Sequence, residues 1–109
     1  MVLDWIIYAS TINSMETRLI WDESKRARNW RKHGLDFANA HWVLDSAWRL
    51  DVDVPRGGEL RMQSFSYVLD MLAVLTVVHT KRDGAARIIS FRRASADERE
   101  VYHEWLEGE

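Results

Sequence analysis

Two stretches of the chain concentrate side chains that can handle a phosphate or a proton. The first holds Lys25, Arg28, Arg31, Lys32 and His33, and the second holds Arg87, Arg92 and Arg93. Placed on a helix at roughly 100° per residue, Lys25, Arg28, Arg31 and Lys32 share one arc. Ala27 and Trp30 then fall opposite, toward the core, with Asn29 and His33 at the boundary. A cationic stripe of this kind neutralises nucleic-acid phosphates without reading sequence. The same stripe also reads as a solvated face, or as one neutralised by a partner's acidic residues. His33 has two readings: a proton-transfer group, since imidazole titrates near neutrality, or a structural donor at the end of its helix.

On a regularly alternating strand, Arg87 and Arg93 face one side with Ile89 and Phe91, and Arg92 faces the other with Ile88 and Ser90. Arginine on a sheet face needs an anion or a carboxylate to offset desolvation. A phosphate clamp and a salt bridge to Glu59, Glu98 or Asp51 both satisfy that need. His41, His79 and His103 fall on separate elements, no His-x-x-x-His spacing occurs, and neither a metal nor a cofactor is expected. There is no Ser-His-Asp order and no Gly-rich phosphate loop.

The elements that must position these groups follow from patterning. Asp22 caps a helix over 23–33, which stops at Gly34. Asp36 caps a second helix, with Phe37, Ala40 and Val43-Leu44 recurring to about Asp45. Trp48 to Val54 alternates with period two, as does Arg61 to Leu69 after the Pro55-Arg56-Gly57-Gly58 loop. The apolar stretch Leu72 to His79 predicts a central strand. Asp83-Gly84 signals a hairpin turn into a last strand, Arg87 to Arg93. Ser95 with Glu98 forms a capping box opening a helix to about Leu106. The whole predicts an α+β domain, with an antiparallel sheet of about four strands, two helices before it and one after.

Bulk properties fit this picture. The 109 residues suit one domain, and 47% hydrophobic content can form a core. Six tryptophans suggest large rings in that core or on a partner surface. The absence of cysteine rules out disulfide and thiolate chemistry and agrees with a reducing cytosol. Net charge is −2, yet residues 18–33 carry six basic against two acidic side chains, and residues 97–109 carry one against six. A local basic face is therefore compatible with an acidic total. The run Trp5-Ile6-Ile7-Tyr8 lacks the basic flank of a signal peptide. No window approaches the ~20 apolar residues of a membrane helix.

The chain also resembles the BrnT-type toxins. Leu19-Ile20-Trp21-Asp22, Lys25, Asn29, Lys32-His33-Gly34 and Phe37 follow the opening pattern of that family. Val77-Val78-His79-Thr80, Arg87-Ile88-Ile89-Ser90, Arg92-Arg93-Ala94-Ser95 and Glu98-Arg99 to Tyr102 follow its closing pattern. The resemblance runs from about Arg18 to Tyr102, so 18–109 is expected to be one toxin domain. Residues 1–17 are an extension to it, and because Met15-Glu16 would make an ordinary start for the family, an over-long start site is one reading of them.

The resemblance implies a RelE-like fold and a ribonuclease that halts translation; the lack of clustered ligands makes a metal-independent enzyme the expectation, and the absence of cysteine a cytoplasmic one. It implies neutralisation by a BrnA-type antitoxin with a ribbon-helix-helix domain, through which alone the complex would contact operator DNA. In RNA cleavage the 2′-hydroxyl attacks the adjacent phosphorus. The protein helps remove that proton, stabilise the added charge and protonate the leaving oxygen. On this reading His33 is the acid–base group, and Lys32 and Arg61 are electrostatic stabilisers. Arg92 or Arg93 grips phosphate through two donors, and Lys25, Arg28, Arg31, Arg87 and Arg93 bind RNA. Arg61 matches the arginine of the family's Glu-Arg strand start, here with Leu60 interposed. Lys32, His33, Arg61 and Arg92 should then converge on one groove. The rival reading is a non-catalytic antitoxin-binding module or co-repressor using the same surface.

Overall fold

A computed structural model describes residues 17–108; the expectations for residues 1–16 lie outside them. The chain begins with β1 (Leu19–Ile20) and α1 (Glu23–His33), followed by a 3-10 turn (Phe37–Asn39) and α2 (His41–Leu44). Four strands follow: β2 (Leu50–Asp53), β3 (Met62–Val68), β4 (Ala73–Arg82) and β5 (Ala85–Arg93), before α3 (Ala96–Glu107) closes the domain. The sheet order is β1-β5-β4-β3-β2, with β4 central as its apolar run predicts.

The α+β class, the two N-terminal helical segments and the C-terminal helix follow the sequence reading, but the sheet is mixed and has five strands. β1 pairs in parallel with β5, Leu19 opposite Ala86 and Ile20 opposite Arg87, while the other pairings are antiparallel. Two residues are too few to display a period, so nothing in Leu19-Ile20 marked a strand.

Local chemistry sets several boundaries. Asp22 accepts from the Ser24 and Lys25 amides, and Gly34 ends α1 with φ of 70°, the left-handed conformation glycine takes without strain. Asp83 and Gly84 both have positive φ, 52° and 77°, forming the tight hairpin turn between β4 and β5 that Asp-Gly signals. Ser95 and Glu98 bond each other's backbone amides as a complete capping box at α3.

The second predicted helix is shorter and partly 3-10. Phe37, Ala40 and Val43 are each fully buried. Phe37 stands in the 3-10 turn, Ala40 at the junction and Val43 in α2. Spaced by threes, they stay on one side of the segment, toward the core.

Two clusters fill the interior. One lies between the sheet and the α1–α2 side and includes Leu35, Phe37, Val43, Leu75, Val77, Ile88 and Phe91. The other lies beneath α3 and joins Phe65, Val74, Ala94 and Tyr102. Tyr102 is fully buried, and its hydroxyl donates to the Trp48 carbonyl and accepts from the Tyr67 amide. The five described tryptophans are not the core: Trp21, Trp42 and Trp105 are half-buried, and Trp30 and Trp48 are exposed.

Trp30 reverses its predicted orientation, being 58% exposed while Asn29 is buried. The reason is that α1 does not lie flat on an apolar sheet face. It lies along the edge of β5 beyond the short β1, and that edge presents bare peptide groups. The Asn29 amide meets them, donating to the Phe91 and Leu35 carbonyls and accepting from the Phe91 amide. A hydrogen-bonding side chain is therefore the buried one.

Regular alternation also fails in β5. Ser90 pairs with Val78 and Ile88 with His79, so Ile89 is an unpaired extra residue, a β-bulge. The bulge puts Ile88 and Phe91 on the same core face, both essentially inaccessible. It also places Arg87, Ser90 and Arg92, opposite Thr80, Val78 and Thr76, together on the other face. In a straight strand Arg87 and Arg92 would point apart.

Candidate active site

Docking α1 against the β5 edge creates a groove of about 270 Å³ bordered by Lys25, Arg28, Asn29, Lys32, His33 and the strand residues Ile89 and Ser90. The stripe on α1 is thus partly assembled into a site. Lys25, Arg28 and Lys32 flank the groove and form no salt bridge among the described residues. Arg31 is exposed and does not border it.

His33 is half-buried at the last turn of α1. Its imidazole is held below the ordinary histidine pKa, first by desolvation and then by the positive charges of Lys32 and Arg92. Each effect disfavours the cation. His33 is consequently neutral near pH 7 and able to accept a proton beside a cationic rim.

Two of the three arginines of β5, Arg92 and Arg87, have carboxylate partners. Arg92 makes a two-pronged pair with Glu98, Nη1 to Oε1 at 2.8 Å and Nη2 to Oε2 at 2.9 Å. Arg87 Nη2 lies 2.9 Å from Glu59 Oε2, and Arg61 Nε lies 2.7 Å from Glu59 Oε1. Arg87 Nε is buried without a partner among the described residues. Of the carboxylates considered from sequence, Glu59 and Glu98 serve the strand, whereas Asp51 pairs with Arg49. Arg93 is exposed at the end of β5.

The expected convergence of four residues is therefore only partial. Lys32 and His33 share the groove, and the Arg92 charge is close enough to act on His33. Arg61 does not border that groove. It is tied through Glu59 to Arg87, and it borders a different, larger cavity of about 380 Å³ with Leu44, Leu60, Met62 and His79. The physical cause is register: β3 lies two strands from β5, across β4, so α1 and the start of β3 are on opposite sides of the sheet's width.

Sequence reasoning missed a polar network beside that larger cavity. Ser64 Oγ donates to Asp51 Oδ1 at 2.6 Å and lies 2.8 Å from His79 Nε2, and Arg49 Nε also donates to Asp51 Oδ1. A carboxylate only accepts, and a hydroxyl has one proton to give. Ser64 therefore accepts from His79, which carries its proton on Nε2. His79 is buried and its pKa is lowered to about 4, chiefly by desolvation and by the Arg49 charge. Only strand pairing joins these residues, so no sequence spacing could flag them. Ser64 does not activate as a nucleophile here, because the histidine donates to it.

No helix among the described residues is long and apolar enough to cross a membrane. No curated protein matches the chain. The family model described as "Ribonuclease toxin, BrnT, of type II toxin-antitoxin system" matches residues 21–98, which contain α1, the whole sheet except β1, and Arg92 with its partner Glu98. The chain belongs to the BrnT family of ribonuclease toxins of type II toxin–antitoxin systems, so RNA is its substrate and an antitoxin its partner.

Proposed function

We propose that RNA is cleaved in the groove between α1 and β5, with His33 moving the proton and the surrounding cations neutralising phosphate. The observation that carries this reading is a neutral histidine among three cationic side chains that have no carboxylate partner among the described residues. His33 takes the 2′-hydroxyl proton as that oxygen attacks phosphorus, and the imidazolium then protonates the departing 5′-oxygen. Lys32 stands beside His33 to stabilise the added negative charge of the pentacoordinate phosphorane. Arg92 binds a phosphate oxygen alongside, and Lys25 and Arg28 hold the strand.

Arg87 and Arg61 extend the cationic surface along the sheet, with Glu59 between them. We assign them to RNA binding away from the reacting phosphate, with Arg31 and Arg93 as peripheral contacts. Fixed side-chain cations supply the charge neutralisation, so the reaction is proposed to run without a metal. The antitoxin is proposed to be a BrnA-type ribbon-helix-helix protein that makes all operator contacts, and the toxin to act in the cytoplasm. The catalytic unit is residues 18–109, with 1–17 an extension to it.

The test is cleavage of a defined RNA by purified protein, with and without EDTA, compared with His33→Ala and Arg92→Ala, together with growth arrest on induction without antitoxin. Loss of cleavage and arrest in His33→Ala, with wild-type activity unaffected by EDTA, supports the proposal. Growth arrest with intact RNA, or full activity of His33→Ala, sinks it. Harmlessness of every version favours the non-catalytic antitoxin-binding module.

A further inference from the structure

We infer that Glu98 is a positioning residue of the RNA-cleaving site, locking the Arg92 guanidinium so that its second two-donor edge faces substrate. This rests on the proposed placement of the reaction beside His33 and adds a residue to it. Glu98 stands on the first turn of α3 and ties its own helix cap to two strands, β5 and β3. Its two oxygens take Nη1 and Nη2 of Arg92, at 2.8 and 2.9 Å. Oε1 also accepts from the Ser95 amide at 2.8 Å, and Oε2 from Gln63 Nε2 on β3 at 3.2 Å. Its own amide donates to Ser95 Oγ, completing the cap of α3.

A carboxylate held by a helix cap and a neighbouring strand is a fixed anchor, and Arg92 inherits that rigidity. Arginine has five donors in a planar fork. Glu98 uses one hydrogen on each terminal nitrogen, and the Arg93 carbonyl takes the second hydrogen of Nη1 at 3.1 Å. Nε–H and the remaining Nη2 hydrogen are left, and they point the same way along the other edge of the guanidinium. That pair is the side-on fork that grips a phosphate through two oxygens. The end-on edge is spent on protein, and the side-on edge is kept.

Arg92 lies two residues beyond Ser90 on the regular part of β5, so it shares the sheet face of a residue that borders the groove. Lys25, Arg28 and Lys32 border the groove with His33, the charges of Lys32 and of Arg92 on β5 act on it, and Glu98 on α3 pairs with Arg92. Glu98 therefore both orients the arginine and offsets part of its charge.

The test uses Glu98→Gln in the full chain, because glutamine also serves in a capping box and preserves α3. Two readouts are taken: ¹⁵N relaxation of Arg92 Nε–H, and cleavage of a defined RNA by wild type, Glu98→Gln, Arg92→Ala and the double variant. We expect Arg92 Nε to lose order in Glu98→Gln, kcat to fall about ten-fold, and KM to change less. The double variant should be no slower than Arg92→Ala alone. Unchanged Arg92 order, or loosened Arg92 with undiminished kcat, overturns the inference. Additive losses in the double variant also overturn it, since they assign Glu98 a role separate from Arg92. Full activity of Arg92→Ala sinks the assignment of Arg92 to the site, while the relaxation readout still decides whether Glu98 orders the arginine.

Discussion

The side-chain amide of Asn29 binds both peptide groups of Phe91, accepting from its N–H at 3.1 Å and donating to its carbonyl at 2.8 Å. It does for β5 what the next strand would do, at the point where β1 has already ended. One residue thus joins the helix carrying His33 to the strand carrying Arg92.

Asn29→Ala leaves both Phe91 peptide groups, and the Leu35 carbonyl, without this partner in a buried setting. Each unsatisfied group costs about 1–3 kcal/mol, so a total loss of roughly 3 kcal/mol is expected by urea denaturation with an unchanged m-value. A loss below about 1 kcal/mol would show that water or a shifted helix replaces the amide readily.

Cleavage should follow the protonation of His33. The base must be neutral, and desolvation with the Lys32 and Arg92 charges lowers its pKa. The rate therefore rises with pH through a limb below the ordinary histidine value of about 6.5 and is flat at neutrality. Lys32→Gln removes one of the lowering charges, so the limb moves upward while the maximum rate falls. A wild-type limb at or above the ordinary value contradicts the assignment.

His79 gives a separate pH signature, in stability. Its folded pKa is about 4 against an ordinary 6.5, so between these values the unfolded chain binds a proton that the folded chain refuses. Stability from this group is complete above about 6.5 and declines as pH falls toward 4. His79→Gln should remove this part of the pH dependence. The imidazole ¹⁵N shifts of wild type should report the Nε2–H form imposed by Ser64 and Asp51; an Nδ1–H form would disprove the network.

Trp30 looks like a core residue in sequence and is not one. Trp30→Ala should change stability by less than about 0.5 kcal/mol, as at other exposed positions. A loss of about 3 kcal/mol or more, the range for a buried aromatic, would place the ring inside.

The fold was legible wherever a short segment carried its own instructions. Asp22 and Gly34 bound α1, Asp83-Gly84 turns the hairpin, and Ser95 with Glu98 starts α3, because each acts on backbone groups within a few residues. The apolar run of β4 likewise predicts a central strand by composition alone. The family pattern, too, is a property of the sequence, and it identified the chemistry before any geometry.

What the tertiary structure decided is which of those side chains meet. Asn29 is buried and Trp30 exposed because α1 meets a strand edge, whose peptide groups demand an amide rather than a ring. Arg87 and Arg92 share a face because Ile89 is inserted without a partner on β4, and only the pairing reveals an insertion. Arg61 parts from His33, and Ser64 joins His79, through register across strands distant in sequence. Two of the cationic residues nominated for one groove, Lys32 and Arg92, stand beside His33; Arg61 does not. Periodicity and capping are local and can be read along the chain, whereas register, bulges and strand edges exist only once two segments have paired.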